Sequence, residues 1–120
     1  MSESLKHLSA FQRDILYIIS DLETSYGLGI KSALEEYYEE EVNTGRVYQN
    51  LGKLVEKGYL EKSEIDKRTN SYNLTDKAVT AIEHRHHWQT VQTAGELGAN
   101  RVDEWDSEPT HTEQASSTSP

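Results

Sequence analysis

Residues 43–58, NTGRVYQNLGKLVEKG, decide the fold predicted for this chain. Their apolar side chains recur at the spacing of one helical face: Val47, Leu51, Leu54 and Val55. Asn43 and Thr44 suit the N-cap of such a helix, and Gly58 suits its C-terminal cap. The opposite face carries side chains that hydrogen-bond base edges or phosphates: Arg46, Gln49, Asn50 and Lys53. The segment therefore predicts a helix with one buried face and one polar face suited to nucleic acid.

The residues after this helix are typical of two short strands and a turn. Residues 59–65, YLEKSEI, form the first predicted strand, and residues 72–74, YNL, belong to the second. The connector 66–70, DKRTN, is polar and turn-forming, with a basic tip. In a winged helix-turn-helix, a helix of this kind enters the major groove and the hairpin tip lies on the DNA backbone. We therefore predict a mainly α fold with a small β-hairpin wing.

Length and composition narrow the class of protein. At 120 residues, the chain is long enough for one small domain. It has no apolar run long enough to span a membrane, and residues 1–4, MSES, lack the features of a signal peptide. The absence of cysteine excludes disulfides and thiol redox chemistry. We expect a cytoplasmic protein.

The net charge of −9 is unusual for a DNA-binding protein, but it is unevenly distributed. Residues 41–74 contain six Lys/Arg and five Asp/Glu, a net charge of +1, so the other 86 residues carry −10. An acidic body outside the proposed binding surface favours a halophilic protein, because at molar salt the Debye length is about 3 Å and long-range repulsion from DNA is screened. An ordinary acidic bacterial or viral protein is the alternative.

Two helices are predicted before residue 43. In the first, Ser9 and Gln12 form a capping box, and the buried stripe contains Phe11, Ile15, Ile18 and Leu22, supported by Ile19, with Leu16 and Tyr17 to its side. Gly27 and Gly29 then favour a tight corner. The second helix directs Ile30, Ala33, Leu34 and Tyr37 inward, and its glutamates form a solvated face.

A last helix is predicted at about residues 75–94. Thr75 caps it, and Ala78, Val79 and Ile82 face the core. Beyond Ile82 its apolar residues thin to Trp88 and Val91, which is typical of a helix that packs on another chain. We expect this helix to form the homodimer contact, with help from Leu5 and Leu8. Residues 1–94 are then the winged-helix domain with its dimerisation helix, and residues 95–120 are an acidic, disordered tail.

Four segments together resemble the PadR-like family of winged helix-turn-helix transcription regulators: YGLGI (26–30), GRVYQNL (45–51), LVEKGYL (54–60) and YNLT (72–75). The acidic version here is similar to haloarchaeal members, which include an oxidative-stress regulator. The resemblance implies a homodimer that binds palindromic operator DNA. Many members have a long multi-helix C-terminal domain, whereas this chain has a single helix and a tail, so no small-molecule ligand is expected.

The predicted DNA-binding residues have different roles. Arg46 is the candidate for a base contact, with a phosphate clamp as its alternative. On the same helix, Thr44 and Gly45 are expected near the groove floor or backbone, and Lys53 is expected to contact phosphate. Gln49 and Asn50 are candidates for reading bases, although Asn50 could instead point sideways. Tyr48 either packs in the core or reaches a phosphate. At the wing, Lys67, Arg68 and Thr69 face phosphate or the minor groove, or form a solvated turn. Ser25 or Tyr26 is a further candidate for a backbone contact.

Catalysis has little support, because the chain shows no nucleophile–base arrangement, no paired carboxylates and no glycine-rich phosphate loop. We expect no enzyme activity and no cofactor. His84 and His87, at i and i+3 of the last helix, are the candidates for a metal. Two ligands are too few for a structural site, although a dimer or Glu83 could complete it; the alternative is a polar helix whose histidines form hydrogen bonds across the dimer or face solvent. Two function classes remain: a DNA-binding transcription regulator, and a winged-helix module that binds protein and not DNA. The second class requires an acidic or apolar outer face on the helix after Asn43.

Overall fold

The computed structural model of the chain describes residues 4–22 and 25–95. After a 3-10 turn at Leu5–His7, the elements are α1 (Ala10–Asp21), α2 (Gly27–Tyr38), α3 (Thr44–Glu56), β1 (Leu60–Asp66), β2 (Thr69–Leu74) and α4 (Asp76–Thr93). The chain divides into a unit that ends at Arg85 and a second that begins at His86, so the boundary falls within α4. The predicted tail lies outside the described residues from position 96 onward. No helix among the described residues combines the length and hydropathy needed to cross a membrane.

The helix starts follow the predicted capping residues. Ser9 Oγ accepts a hydrogen bond from the Gln12 N–H at 3.1 Å, and Gln12 Oε1 accepts one from the Ser9 N–H at 3.2 Å, which confirms the capping box of α1. Asn43 Oδ1 caps α3 by accepting from the Arg46 N–H at 2.8 Å. Gly58 follows α3 with a φ of 87°, in the left-handed region that glycine adopts without strain.

The core of the first unit is formed by residues from α1, α2, α3, the hairpin and the start of α4. Each Leu or Ile fully buried there contributes about 1.5–3 kcal/mol relative to an exposed position. The buried apolar residues are Leu5, Leu8, Phe11, Ile15, Leu16, Ile19, Ile30, Leu34, Val42, Val47, Leu51, Leu54, Tyr59, Leu60, Tyr72, Ala78 and Ala81. Val47, Leu51 and Leu54, three of the four residues predicted for the buried face of α3, are among them, and the fourth, Val55, is partly buried.

Part of the predicted burial in the first two helices is wrong. α1 buries Leu16 completely, whereas Ile18 and Leu22 are only partly buried, so the buried face of α1 is rotated from the predicted stripe. In α2, Tyr37 is 67% exposed and Tyr38 packs against the core in its place. The ring of Tyr38 stacks on Phe11, with the ring centres 6.2 Å apart.

Two further predictions, one for Leu5 and Leu8 and one for Val79, are also wrong. Leu5 and Leu8 are buried within the first unit, so they do not form the dimer contact suggested for them. In α4, Ala78 and Ala81 are fully buried, whereas Val79 is 41% exposed. The buried side of α4 therefore carries Ala78 and Ala81.

The wing is an antiparallel hairpin in which Leu60 pairs with Leu74 and Asp66 pairs with Thr69. The turn is shorter than the predicted connector, because the strands continue to Asp66 and resume at Thr69. The start of α2 is attached to the wing: Tyr26 forms a bridge with Ser71, and the Tyr72 N–H donates to the carbonyl oxygen of Ser25 at 2.8 Å. These hydrogen bonds tie β2 of the wing to the start of α2.

Candidate nucleic-acid interface

α3 presents a polar surface on the side opposite to the core. Six of the seven α3 residues predicted to contact DNA are exposed on this surface: Thr44, Gly45, Arg46, Tyr48, Gln49 and Lys53. Among the described residues, the side chains of Gln49 and Lys53 have no hydrogen-bond or ion-pair partner. Their amide and ammonium groups are therefore available to bases and phosphates.

The guanidinium group of Arg46 is held against α1. Its central carbon lies 3.8 Å from the centre of the Phe11 ring, which is a cation–π contact. A guanidinium stacked on an aromatic face keeps its in-plane N–H groups free for a carboxylate, phosphate or guanine edge. The contact therefore limits the positions that Arg46 samples without occupying its hydrogen-bond donors.

Asn50 is oriented sideways, the alternative left open by its sequence. It is half-buried, and both ends of its amide are bonded within the protein. Its Oδ1 accepts from Gln12 Nε2 at 2.9 Å, and its Nδ2 donates to the carbonyl oxygen of Arg46 at 2.8 Å. Asn50 therefore lies at the edge of the polar face and ties it to α1.

Tyr48 packs over the start of α2. A Cβ atom added to Gly27 would lie 2.4 Å from the Tyr48 hydroxyl oxygen and 2.5 Å from its Cε1, closer than such atoms approach. Gly27 is buried as the first residue of α2, so close approach and not the predicted tight corner requires glycine here. Tyr48 is still 39% exposed and Tyr26 is 40% exposed, whereas Ser25 is buried.

The wing tip exposes two cations. Lys67 and Arg68 form the turn, and both are exposed, whereas Thr69 is half-buried at the start of β2. The Asp66 carboxylate accepts from the Arg68 N–H at 2.9 Å. This hydrogen bond, and a further one from the Thr69 side chain, hold the pKa of Asp66 below its ordinary value. The ionised Asp66 thus shapes the turn that presents both cations.

The glutamate-rich end of α2 is structural in part. Glu35 Oε2 accepts from Lys31 Nζ at 2.8 Å and from the Val42 N–H at 3.0 Å, which lowers the pKa of Glu35. Glu39 ends α2 in the left-handed region, with a φ of 60°. The loop between α2 and α3 is therefore held by Glu35, and the remaining acids face solvent as predicted.

The histidine positions on α4 do not gain further ligands. His84 and His87 are both exposed. Within residues 4–22 and 25–95, no group of three or more His, Asp or Glu side chains is arranged to hold a metal ion. The two histidines remain candidates on sequence grounds alone.

Sequence reasoning missed the contribution of α1 to this surface. Phe11 and Gln12 contact the side chains of Arg46 and Asn50, whereas the sequence pattern of α1 indicates only a capping box and a buried stripe. The only signal in the sequence is the capping box, which accounts for a bond to Gln12 Oε1 and does not indicate a partner for Gln12 Nε2. The candidate interface therefore comprises the polar face of α3, its support on α1 and the wing tip.

Comparison with known proteins identifies the family and supports the fold. A model of the family described as the transcriptional regulator PadR-like family matches residues 15–84. No curated protein matches the chain. The structure of H. salinarum RosR grown from NaBr is 45% identical in sequence to this chain, with a TM-score of 0.77. The match covers 86% of this chain and 91% of the RosR chain. The complex structure of RosR-S4 from H. salinarum is 46% identical, with a TM-score of 0.75 and coverage of 84% and 85%. Lactococcus lactis ZitR, a zinc-responsive MarR family member, is 32% identical, with a TM-score of 0.57 and coverage of 88% and 71%.

Proposed function

Because the chain belongs to the PadR-like family of transcriptional regulators, we propose that it regulates transcription by reading operator DNA with the polar face of α3. It is a DNA-binding regulator with a winged-helix fold. The observation that carries the proposed mode of reading is the set of exposed donors on α3, where Gln49 and Lys53 have no partner among the described residues. In this proposal Arg46 and Gln49 contact base edges in the major groove.

The remaining exposed groups position the protein on the DNA backbone. Lys53 and the Tyr48 hydroxyl contact phosphates beside α3, and the main chain at Thr44 and Gly45 lies close to the groove. Lys67 and Arg68, with Thr69 behind them, place the wing on the adjacent backbone or minor groove. Contacts of this kind fix orientation and contribute affinity without reading sequence.

The proposed assembly is a homodimer on a palindromic operator. The two copies of α3 in such a dimer, related by a two-fold axis, reach successive major grooves when they are about 34 Å apart. In the second unit, Trp88 and Val91 are more than half exposed and lie at i and i+3 on α4. We assign the dimer contact to this part of α4. A role in a stress response rests on the resemblance to haloarchaeal regulators.

The alternative, a winged-helix module that binds protein and not DNA, is disfavoured by the surface of α3. Such a module requires an acidic or apolar outer face, whereas α3 exposes Arg46, Gln49 and Lys53. No acidic residue lies on α3 before Glu56.

The test compares two arginine variants of equal charge. A duplex selected by the wild-type protein from a random-sequence pool, and a scrambled duplex of the same length, are titrated by fluorescence anisotropy at several salt concentrations. Discrimination is the ratio of the two dissociation constants. Arg46→Ala should lower discrimination about 5- to 150-fold, which corresponds to the ~1–3 kcal/mol of one bidentate base contact. Arg68→Ala should weaken binding to both duplexes equally and reduce the salt slope by about 1. If Arg46→Ala retains full discrimination, the assigned base contact is wrong.

A further inference from the structure

A chain of hydrogen bonds leads from the N-cap of α1 to the first turns of α3. The Ser9 N–H donates to Gln12 Oε1 at 3.2 Å, and Gln12 Nε2 donates to Asn50 Oδ1 at 2.9 Å. Asn50 Nδ2 then donates to the carbonyl oxygen of Arg46 at 2.8 Å. We call this chain of hydrogen bonds the Gln12–Asn50 relay. It connects residues that are 38 positions apart.

Burial makes the relay persistent. Gln12 is only 7% exposed and is one of two buried polar residues in the described part of the chain. A buried amide that loses its partner incurs the full cost of desolvation, so the bond from Gln12 Nε2 is retained unless another partner replaces it. The capping box needs only the Oε1 atom of Gln12, and a glutamate would serve it equally well. The amide nitrogen therefore has a separate role, which is to hold Asn50.

The relay also limits what Asn50 can do. An asparagine that reads adenine presents its oxygen and its nitrogen along one edge, to N6 and N7 of the same base. Here the oxygen is bonded to Gln12 and the nitrogen to the main chain at Arg46. Reading adenine in this way requires both bonds to break, one of them from a buried donor.

The carbonyl oxygen that Asn50 holds belongs to the residue with the proposed base contact. Arg46 lies in the first turn of α3, where its N–H is bonded to the Asn43 side chain. Its main chain is thus bonded on both sides, by Asn43 through the N–H and by Asn50 through the carbonyl oxygen. A side chain that reads a base must start from a fixed Cα, because small displacements at the first turn are amplified along a long arginine.

We propose that Gln12 and Asn50 are positioning residues for DNA readout, which act by fixing the first turn of α3 and not by contacting DNA. This inference rests on the proposed function, because it assumes that Arg46 reads a base. Asn50 then contributes to discrimination only while Gln12 holds it. Gln12 contributes as much as Asn50 does, although it lies on α1, a helix that does not itself read bases.

The test is a double-mutant cycle on discrimination, measured with the selected and scrambled duplexes described above. Gln12→Ala and Asn50→Ala should each lower discrimination by about three- to tenfold, the range expected for one hydrogen bond. The double variant should lose no more than either single variant, because both remove the same relay. If Asn50→Ala loses far more than Gln12→Ala and the two losses multiply, Asn50 reads a base directly and the inference is overturned.

Two control variants separate positioning from stability. Ser9→Ala removes the cap of α1 and leaves the bond between Gln12 and Asn50 in place, so it should lower the melting temperature and retain discrimination. Gln12→Glu keeps an acceptor for the capping box and removes the donor to Asn50, so it should lower discrimination. Its buried carboxylate also lowers the melting temperature, so its discrimination is compared with that of Ser9→Ala, which is destabilised without losing the donor. The opposite pattern, with discrimination following melting temperature across the variants, would show that Gln12 is merely structural.

Arg46→Ala serves as the reference for the proposed function. If Arg46→Ala loses discrimination and Gln12→Ala does not, only the positioning inference fails. If Arg46→Ala keeps full discrimination, the assigned base contact fails and the inference that depends on it fails as well.

Discussion

Gly27 and Tyr48 are in contact at a distance that excludes any other residue at position 27 with the ring left in place. A Cβ atom at Gly27 would lie 2.4 Å from the Tyr48 hydroxyl oxygen. The ring is partly exposed and can turn away, so the cost of a larger residue falls on the position of Tyr48 more than on the core. The start of α2 thereby determines where the Tyr48 hydroxyl points.

We therefore predict that Gly27→Ala lowers DNA affinity with little change in stability. Alanine gains up to about 1 kcal/mol of helix propensity, which offsets part of the displacement of Tyr48. Gly29→Ala is the matched control, because a Cβ there has no neighbour within 4 Å and DNA binding should not change. Anisotropy titrations and thermal melting measure both effects. In a Tyr48→Ala background, Gly27→Ala should cause no further loss of affinity, and an additional loss would show that Gly27 acts in some other way.

The contact between Phe11 and Arg46 gives a second prediction. Phe11→Leu keeps position 11 apolar but leaves a smaller side chain in the core and removes the stack on Tyr38, so it should cost about 0.5–3 kcal/mol of stability. It removes the ring face under the guanidinium, a contact of about 0.5–1 kcal/mol, so affinity for the selected duplex should fall about two- to fivefold. Ile15→Leu, also in the core, is the control. Tighter binding by Phe11→Leu would mean that the ring restrains Arg46 and does not prepare it for DNA.

The wing should loosen in acid. Hydrogen bonds from Arg68 and Thr69 lower the pKa of Asp66 below its ordinary value of 3.8. A lowered pKa means that the ionised carboxylate stabilises the turn above 3.8, and that this stabilisation is lost as the pH falls through the lower folded-state pKa. NMR shifts of the Arg68 amide against pH measure the loss. Asp66→Asn keeps an acceptor oxygen without the titration, so a transition of equal size in that variant would contradict the assignment.

The dimer assignment predicts that charge on the exposed face of α4 separates the protomers. The double variant Trp88→Glu, Val91→Glu should give the monomer mass in light scattering and bind the selected duplex weakly, because two half-sites are no longer bound together. Gln89→Glu adds charge at a neighbouring exposed position and should remain dimeric. A stable dimer in the double variant would place the interface on another surface.

Oxidant sensing provides the last prediction. The chain has no cysteine and a single methionine, Met1, so sulfur oxidation within the fold is excluded. Peroxide treatment of the purified, metal-free protein should therefore leave its affinity for the selected duplex unchanged. A clear loss of affinity, with no metal found by elemental analysis, would indicate oxidation of an aromatic residue such as Tyr48 or Trp88.

Much of the fold could be predicted from local patterns. The winged helix-turn-helix order, the capping box at Ser9, the cap at Asn43 and the buried side of α3 are all confirmed. The family prediction is confirmed as well. These features depend on hydrogen bonds and periodicities within about four residues of the chain, which a single sequence displays directly.

The tertiary structure decided the features that depend on how helices meet. Tyr37 and Tyr38 are adjacent and chemically identical, and only the angle of α2 against α1 determines that Tyr38 packs on Phe11. Packing likewise placed Leu5 and Leu8 in the core and not at a dimer contact.

The same division holds at the candidate site. Sequence alone determined that the exposed side of α3 is polar and basic, because that follows from its periodicity. It did not determine that Gln12 holds Asn50, or that Gly27 makes room for Tyr48. Each of these contacts joins residues far apart in the chain, and it exists only because α1, α2 and α3 pack at one particular distance and angle.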